Sequence, residues 1–290
     1  MMEFKDPVVR VENAVEIARD LLVIPNQRVG LVPNIGVIGG TEAVLVVDTG
    51  LGVENAASVL LFAAEVARGR RIYLTTTHFH PEHAFGATVF AGEATYLVNR
   101  AQAADLDRKG AGYLEMFRGL DPVIARRLEG AQVPVPDAVH DSHDLDLGGR
   151  VVRLRATGRG HTLGDQVVEV PDAGVLFTGD LAETGQFAIF PWFPPHDTDV
   201  SGLGWISVLD GLLGTRPSVV VPGHGDVGGA EVLANVRSYL VELRDETWRR
   251  RGSELVAEEV RELMIARHPE WEGREWIEPG VACLCAEHPA

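Results

Sequence analysis

The spacing of apolar residues along the chain alternates between two periods. Ile17 to Ile24, Asn34 to Ile38 and Ala43 to Asp48 are apolar runs that suit strands, and Gly39-Gly40 supplies a hairpin turn between the last two. Continuous runs of this kind are buried on both faces. Glu54 to Arg68 is alanine-rich and amphipathic, as a crossover helix is, and Arg71-Ile-Tyr-Leu74 follows as a strand ending near Thr77. Strand, helix, strand in that order predicts a right-handed βαβ unit. Ala94 to Val98 is a further strand.

Residues 99–130 change character: alanines and charges dominate, and Gly110, Gly112, Gly119 and Gly130 break the pattern. This stretch is expected to be a helical excursion covering the site. The acidic segment Pro136 to Asp146 contains His140 and His143, and its proline and aspartates predict a solvated loop rather than a second metal site. A second set of strands then begins: Val151 to Arg155, Gln166 to Val170 and Val175 to Phe177. Trp205, Ile206, Leu209, Leu212 and Leu213 keep helical spacing, Ser218 to Val221 is a last core strand, and Val232 to Leu243 repeats as a long amphipathic helix. A helix over Glu254 to Ala266 follows, and the tail to Ala290 shows no clear period. A β-rich half with a helix, repeated, predicts an α+β fold of two sheets packed face to face with helices outside. The expected organisation is one domain over residues 1–245, with a C-terminal helical extension over 246–290 packed on it.

Composition narrows the function classes. The chain has 290 residues, 46% hydrophobic, enough for a large core. Its formal net charge of -16 and lack of a Lys/Arg stripe argue against nucleic acid or an anionic membrane as partner. No apolar run approaches a membrane span, and Met1 to Pro7 lacks the order of a signal peptide, so a cytoplasmic protein is expected. The two cysteines, Cys283 and Cys285, exclude a disulfide framework and are expected to be incidental. The long C-terminal helices could support a homodimer or simply pack on their own sheet.

The densest chemistry is Thr75-Thr-Thr-His-Phe-His-Pro-Glu-His-Ala84. His78 and His80 lie two apart at a strand end, so both imidazoles can reach one point. Pro81 suits the first position of a helix, which places Glu82 and His83 on its first turn, facing a second point. Three later strands end beside a glycine with one further candidate ligand each: His161 in Gly158 to Asp165, Asp180 in Phe177-Thr-Gly-Asp, and His224 in Val221-Pro-Gly-His-Gly. Asp48, at the end of another strand, is either a partner that orients a ligand histidine or a turn former.

Taken in order, these motifs resemble the metallo-β-lactamase-fold superfamily of metal-dependent hydrolases. Its H-x-H-x-D-H motif is matched by His78-Phe-His-Pro-Glu-His83, and its G-H-T, G-D and G-H-G motifs by Gly160-His-Thr, Gly179-Asp180 and Gly223-His-Gly. The resemblance covers residues 17 to 245 and implies a four-layer αβ/βα sandwich with metals at one edge of the sheets. It assigns His78, His80 and His161 to a first metal, and Glu82, His83 and His224 to a second, with Asp180 bridging. The family usually has Asp where this chain has Glu82, so the helix start must shift or the second site weakens.

The residue types suit two Zn2+ ions, with Fe or Mn as alternatives. The activity implied is hydrolysis of a small lactone, lactam, ester or thioester by a metal-bound hydroxide. Asp180 would orient the nucleophile, and Glu82 would take part as a ligand or a proton shuttle. An iron-dependent oxidoreductase resembling a sulfur dioxygenase is the alternative within the fold. Glu183 to Pro195 is rich in aromatics and proline, and Phe187, Phe190, Trp192 and Phe193 are the expected apolar wall of a small-molecule pocket.

Overall fold

The computed structural model describes residues 5–289. Met1 to Phe4, part of the N-terminal stretch considered above, and Ala290 lie outside the described residues. Seven strands form the first sheet in sequence order: β1 (Val15–Ala18), β2 (Leu21–Ile24), β3 (Ile35–Gly39), β4 (Ala43–Val47), β5 (Arg71–Thr75), β6 (Ala94–Asn99) and β7 (Ala138–His140). β1 to β4 pair antiparallel and β4 to β7 parallel. The change of sense occurs where helix α1 (Gly52–Ala67) crosses from β4 to β5, because a parallel neighbour can be reached only over a face of the sheet.

The second sheet has the order β12-β11-β10-β9-β8, built from β8 (Ser142–Asp146), β9 (Val151–Ala156), β10 (Gln166–Val170), β11 (Val175–Glu183) and β12 (Val219–His224). Its one parallel pair, β11 with β12, is joined across α5 (Gly202–Gly214), repeating the β4–α1–β5 device. Alternation along single strands separates the layers. Leu45 and Val47 of β4 meet Val168, Val170, Val175 and Phe177 between the sheets, whereas Val44 and Val46 face Val59 and Ala63 of α1. On the far side, Val167 and Leu176 pack with Leu209 of α5 and with Val236 and Leu240 of α6 (Glu231–Arg249). Helix, sheet, sheet and helix are thus stacked as the four-layer sandwich expected from the chain.

The C-terminal region adds α7 (Val256–Arg267) and α8 (Ile277–Ala286), with Val260, Met264, Val281 and Leu284 in the same core as α5 and α6. The period of α8, Ile277, Val281 and Leu284, was missed in the sequence because Gly280 occupies its intermediate position; Gly280 lies against Phe190, where a Cβ would sit 3.0 Å from the ring. Cys283 is buried, and its thiol, pushed up to about 12 by burial, donates toward the Val200 carbonyl. Among the described residues no helix is long and apolar enough to cross a membrane.

Three expectations change. Ile17 to Ile24 is two strands, because Asp20 takes a left-handed φ of 56° and turns the chain between β1 and β2. The segment 136–146 is not a loop: β7 and β8 occupy it and extend the two sheets at one side. As edge strands they need few apolar residues, and Leu145 alone of Ser142 to Asp146 is buried, so the hydrophobic pattern was absent. His140 and His143 on them belong to no cluster of three or more candidate ligands among the described residues. Finally, Gly110 and Gly112 do not interrupt the excursion. Helix α3 (Arg100–Arg118) runs through both, followed by α4 (Pro122–Arg127), and Gly110 admits Val133, whose Cγ1 would lie 2.5 Å from an added Cβ.

Phe177 is 2% exposed and lies between the sheets. Phe177→Ala is expected to cost about 3–5 kcal/mol of stability, measured as the shift of the denaturant midpoint, without loss of the secondary structure seen by circular dichroism.

Candidate metal centre

Local geometry aims the candidate ligands before tertiary packing brings them together. After β5 the chain stays extended through His80, whose ψ of 149° suits the residue before proline, and Pro81 opens the four-residue helix α2 (Pro81–Ala84), the second helix of the chain. His78 and His80 therefore project from extended backbone, and Glu82 and His83 from a helical turn. β11 continues past Phe177, but Gly179 takes φ 53° and shifts the register against β12. That kink turns Asp180 inward. Gly223 lies against it, and a Cβ there would be 1.9 Å from Asp180 Oδ1. The glycine is required by this close approach.

The structure brings all seven expected ligands together, each at most 6% exposed. They form two groups sharing Asp180: His78, His80, His161 and Asp180, and Glu82, His83, His224 and Asp180, with the ligand atoms of each group within 4.8 Å of one another. In the first, His80 Nδ1 lies 3.0 Å from His78 Nε2 and 3.1 Å from His161 Nε2, and Asp180 Oδ2 is 3.8 Å from both Nε2 atoms. In the second, Asp180 Oδ1 is 3.3 Å from His83 Nε2 and 3.5 Å from His224 Nε2. Zinc–nitrogen bonds of about 2.0–2.1 Å separate neighbouring corners of a tetrahedron by about 3.3–3.4 Å, so both groups have the spacing of donors around a common ion.

The chemistry of the donor set agrees. His83 Nε2, His224 Nε2, Glu82 Oε2 and both Asp180 oxygens are buried without a hydrogen-bond partner. So many orphaned polar atoms at one place are costly unless a further group satisfies them. The outer nitrogens of three histidines, by contrast, are held. His83 Nδ1 donates to Asp48 Oδ2 at 2.9 Å, His161 Nδ1 to the Ile189 carbonyl at 2.9 Å, and His224 Nδ1 to the Val32 carbonyl at 3.0 Å. In the neutral ring, each bond fixes the tautomer with the Nε2 lone pair inward. Asp48 also accepts from the Thr77 backbone N–H at 2.7 Å, tying β4 to the start of the histidine motif.

Burial, followed by repulsion from the neighbouring imidazoles, holds His78 and His80 well below the ordinary histidine range, and burial takes His161 down to about 4. These shifts favour the neutral ring, the form in which an imidazole can bind a metal. His83 goes the other way: burial opposes its charge, but Asp180 and Asp48 outweigh burial and raise it well above the usual value. Burial pushes Glu82 up to about 7 and would raise Asp180 too, but His83, His224 and His78 hold Asp180 well below the carboxylate range.

A family model described as the metallo-beta-lactamase superfamily matches residues 28–224. The chain belongs to the metallo-beta-lactamase superfamily. Over 118 residues it is 30% identical to the metallo-beta-lactamase type 2 of Bacteroides fragilis, a match covering 40% of this chain and 46% of that enzyme, so the chain spans about half the length of that relative. Over 227 residues it is 28% identical to the human acyl-coenzyme A thioesterase MBLAC2, covering 72% of this chain and 78% of that one. Among solved structures, a metallo-beta-lactamase from Pontibacter korlensis superposes with a TM-score of 0.63 at 18% identity, over 79% of this chain and 98% of its own. At that identity the likeness is one of fold.

Within this superfamily fold, the aromatic strap after β11 divides. Phe187 and Phe190 are fully buried and pack on Tyr239 and Trp271, and on Trp205, respectively. Their rings are used by the core, which corrects the expectation that they wall a pocket. Trp192 and Phe193 are only partly buried. Sequence reasoning missed two asparagines that brace the His224 loop. Asn34 Nδ2 donates to the carbonyls of Pro222 and Gly225 at 2.9 Å each, and Asn26 Oδ1 accepts from the Gly225 N–H at 3.1 Å. Their separation from His224 by about 190 positions gave no local signal. The carbonyls of Val32 and Ile189 carry none in any sequence.

Asp48→Asn is expected to weaken divalent-metal binding by about 10–100-fold, measured by chelator competition, because a neutral amide holds His83 and the Thr77 N–H less firmly than a carboxylate.

Proposed function

We propose that this chain is a metal-dependent hydrolase with two divalent ions, zinc in first place, acting on a small lactone, lactam, ester or thioester. The observation that carries the reading is the set of inward-facing, partnerless donor atoms in two groups that share Asp180. The names of the relatives add to it: the enzymes they describe act on β-lactams and acyl-coenzyme A thioesters. The longer of those two matches is to the thioesterase, which favours a thioester as the first substrate to test.

His78, His80, His161 and one Asp180 oxygen would hold the first ion, and Glu82, His83, His224 and the other Asp180 oxygen the second. Ions bound there supply Lewis acidity and bring the pKa of bound water toward neutrality. The carboxylates of Glu82 and Asp180 would offset half the charge of two dipositive ions, so that the centre would still attract a polarised carbonyl despite the acidic surface. Asp180 orients the attacking water, and its position between the groups suits it to pass on the proton. Asp48, Ile189 and Val32 keep the histidines in one tautomer, so that their lone pairs need no reorganisation. The burial of all seven side chains excludes bulk water and strengthens every charge interaction at the centre. Trp192 and Phe193 would contact the acyl or ring portion of the substrate.

Glu82 carries one methylene more than the family's usual aspartate, yet its carboxylate stands in the second donor group. Metal analysis of the purified protein is expected to find two zinc ions per chain, falling to one in Glu82→Ala. Exhaustive chelation should abolish turnover across a panel of lactone, lactam, aryl ester and thioester substrates, and added zinc should restore it. Iron as the bound metal, or turnover unchanged after chelation, would reject the zinc-hydrolase reading.

A further inference from the structure

His80 is held differently from the other candidate ligands. The outer ring nitrogens of His83, His161 and His224 each have an acceptor, and His78 Nδ1 lies 3.2 Å from the Thr77 hydroxyl. His80 turns Nδ1 toward the centre, and its Nε2 is buried with no hydrogen-bond partner. A hydrogen bond to the outer nitrogen fixes both the plane and the rotation of an imidazole; without one, packing must do both. The packing is aromatic. The Tyr113 ring stacks on His80 at 5.1 Å between centroids and 21° between planes, and Phe79 closes the side at 4.8 Å to His80 and 4.8 Å to Tyr113.

Tyr113 lies on α3, the excursion that carries none of the candidate ligands, and it is anchored from the strap that follows β11. Its hydroxyl donates to Asp197 Oδ2 at 2.7 Å. Asp197 sits at the tip of the strap, in a turn closed by Phe193 and Asp197 exchanging backbone bonds of 2.8 and 3.0 Å. Its other oxygen accepts from Lys109 Nζ at 2.9 Å and from the Asp199 N–H at 3.0 Å. Lys109, one turn before Tyr113, is also 2.8 Å from Asp199 and 3.5 Å from Asp105. Helix and strap are thereby clasped together beside the first donor group. Simple core packing could explain an aromatic ring at this place. It does not account for a buried hydroxyl–carboxylate–ammonium chain whose innermost member lies flat on the one ligand lacking an outer acceptor.

We infer that Tyr113 is the positioning residue for His80: its ring sets the imidazole plane so that Nδ1 faces the first metal position, and Asp197 with Lys109 holds Tyr113 there. The inference rests on the reading that His80 holds an ion. It also gives the excursion and the strap a shared task, since displacement of either loosens the stack.

The test uses the full chain with Zn2+ and Co2+ as probes. Zinc affinity is measured by competition with a chromophoric chelator, the Co2+ visible absorption reports coordination, and the thermal midpoint of the metal-free protein reports folding. Tyr113→Leu, which removes the stack, is expected to weaken binding by about 10–100-fold and to alter the Co2+ band. Tyr113→Phe and Asp197→Asn, which keep the ring and lose only its anchor, should weaken binding by smaller and mutually similar factors. The double variant should be no worse than either, because both act through one link. Affinities within threefold of the parent in all variants would overturn the inference, as would an equal loss in Phe177→Leu at a matched thermal midpoint. If Tyr113→Leu does not fold, Tyr113→Phe and Asp197→Asn decide by the same criterion. A parent protein that binds neither ion refutes the metal reading itself, and is told apart by that result from a failure of Tyr113 alone.

Discussion

Asp180 is a buried carboxylate whose two oxygens each face two imidazoles, and the surrounding backbone is shaped around it. An ionised carboxylate removed from water costs several kcal/mol even after relaxation, so the site tolerates it only because positive charge is close. His83 supplies part of that charge, and bound cations would supply more. Two glycines make the placement possible. Gly179 gives the left-handed kink that turns the strand, and Gly223 leaves the space that Asp180 Oδ1 enters. Neither glycine offers a donor atom, yet a side chain at either would move the Asp180 oxygens.

The sandwich serves this requirement through its two crossovers. Parallel pairing of β4 with β5 and of β11 with β12 brings Asp48, the histidine motif, Asp180 and His224 to one rim, although they come from distant parts of the chain. From that rim the backbone contributes as much as side chains do. Carbonyls of Val32 and Ile189 orient His224 and His161, and the asparagines of the β2–β3 loop tie that loop to Gly225. A metal site assembled in this way binds with little reorganisation, because the tautomers and planes are set before the ion arrives.

The C-terminal extension has a part in the same arrangement. Glu272 exchanges backbone bonds with Gly185 and Phe187, at 3.0 and 2.9 Å, and Gly280 of α8 lets the Phe190 ring approach the helix closely. These contacts fix the start of the strap, which carries Ile189 and, further on, Asp197. Phe187 and Phe190 are therefore structural in this chain: they bury the strap against α6 and α8, while Trp192 and Phe193 beyond them stay near the surface.

The positions of the candidate ligands that the structure gathers were legible in the sequence because they obey local rules. Extended backbone puts residues two apart on one side, proline fixes where a helix starts, and glycine beside a ligand marks a tight approach. The core strands were equally legible, since burial on both faces leaves runs such as Ala43 to Val47 and Val219 to Val221 no choice but to be apolar. What only the tertiary structure decided lacked such a signature. β7 and β8 are edge strands whose exposure erased the hydrophobic pattern, and Gly110 sits inside a helix because Val133 approaches it from elsewhere in the chain. The division of the strap aromatics between core and surface, and the stack of Tyr113 on His80, depend on which distant elements share a boundary. Spacing along the chain fixes what a segment can present; packing across the chain fixes what it meets.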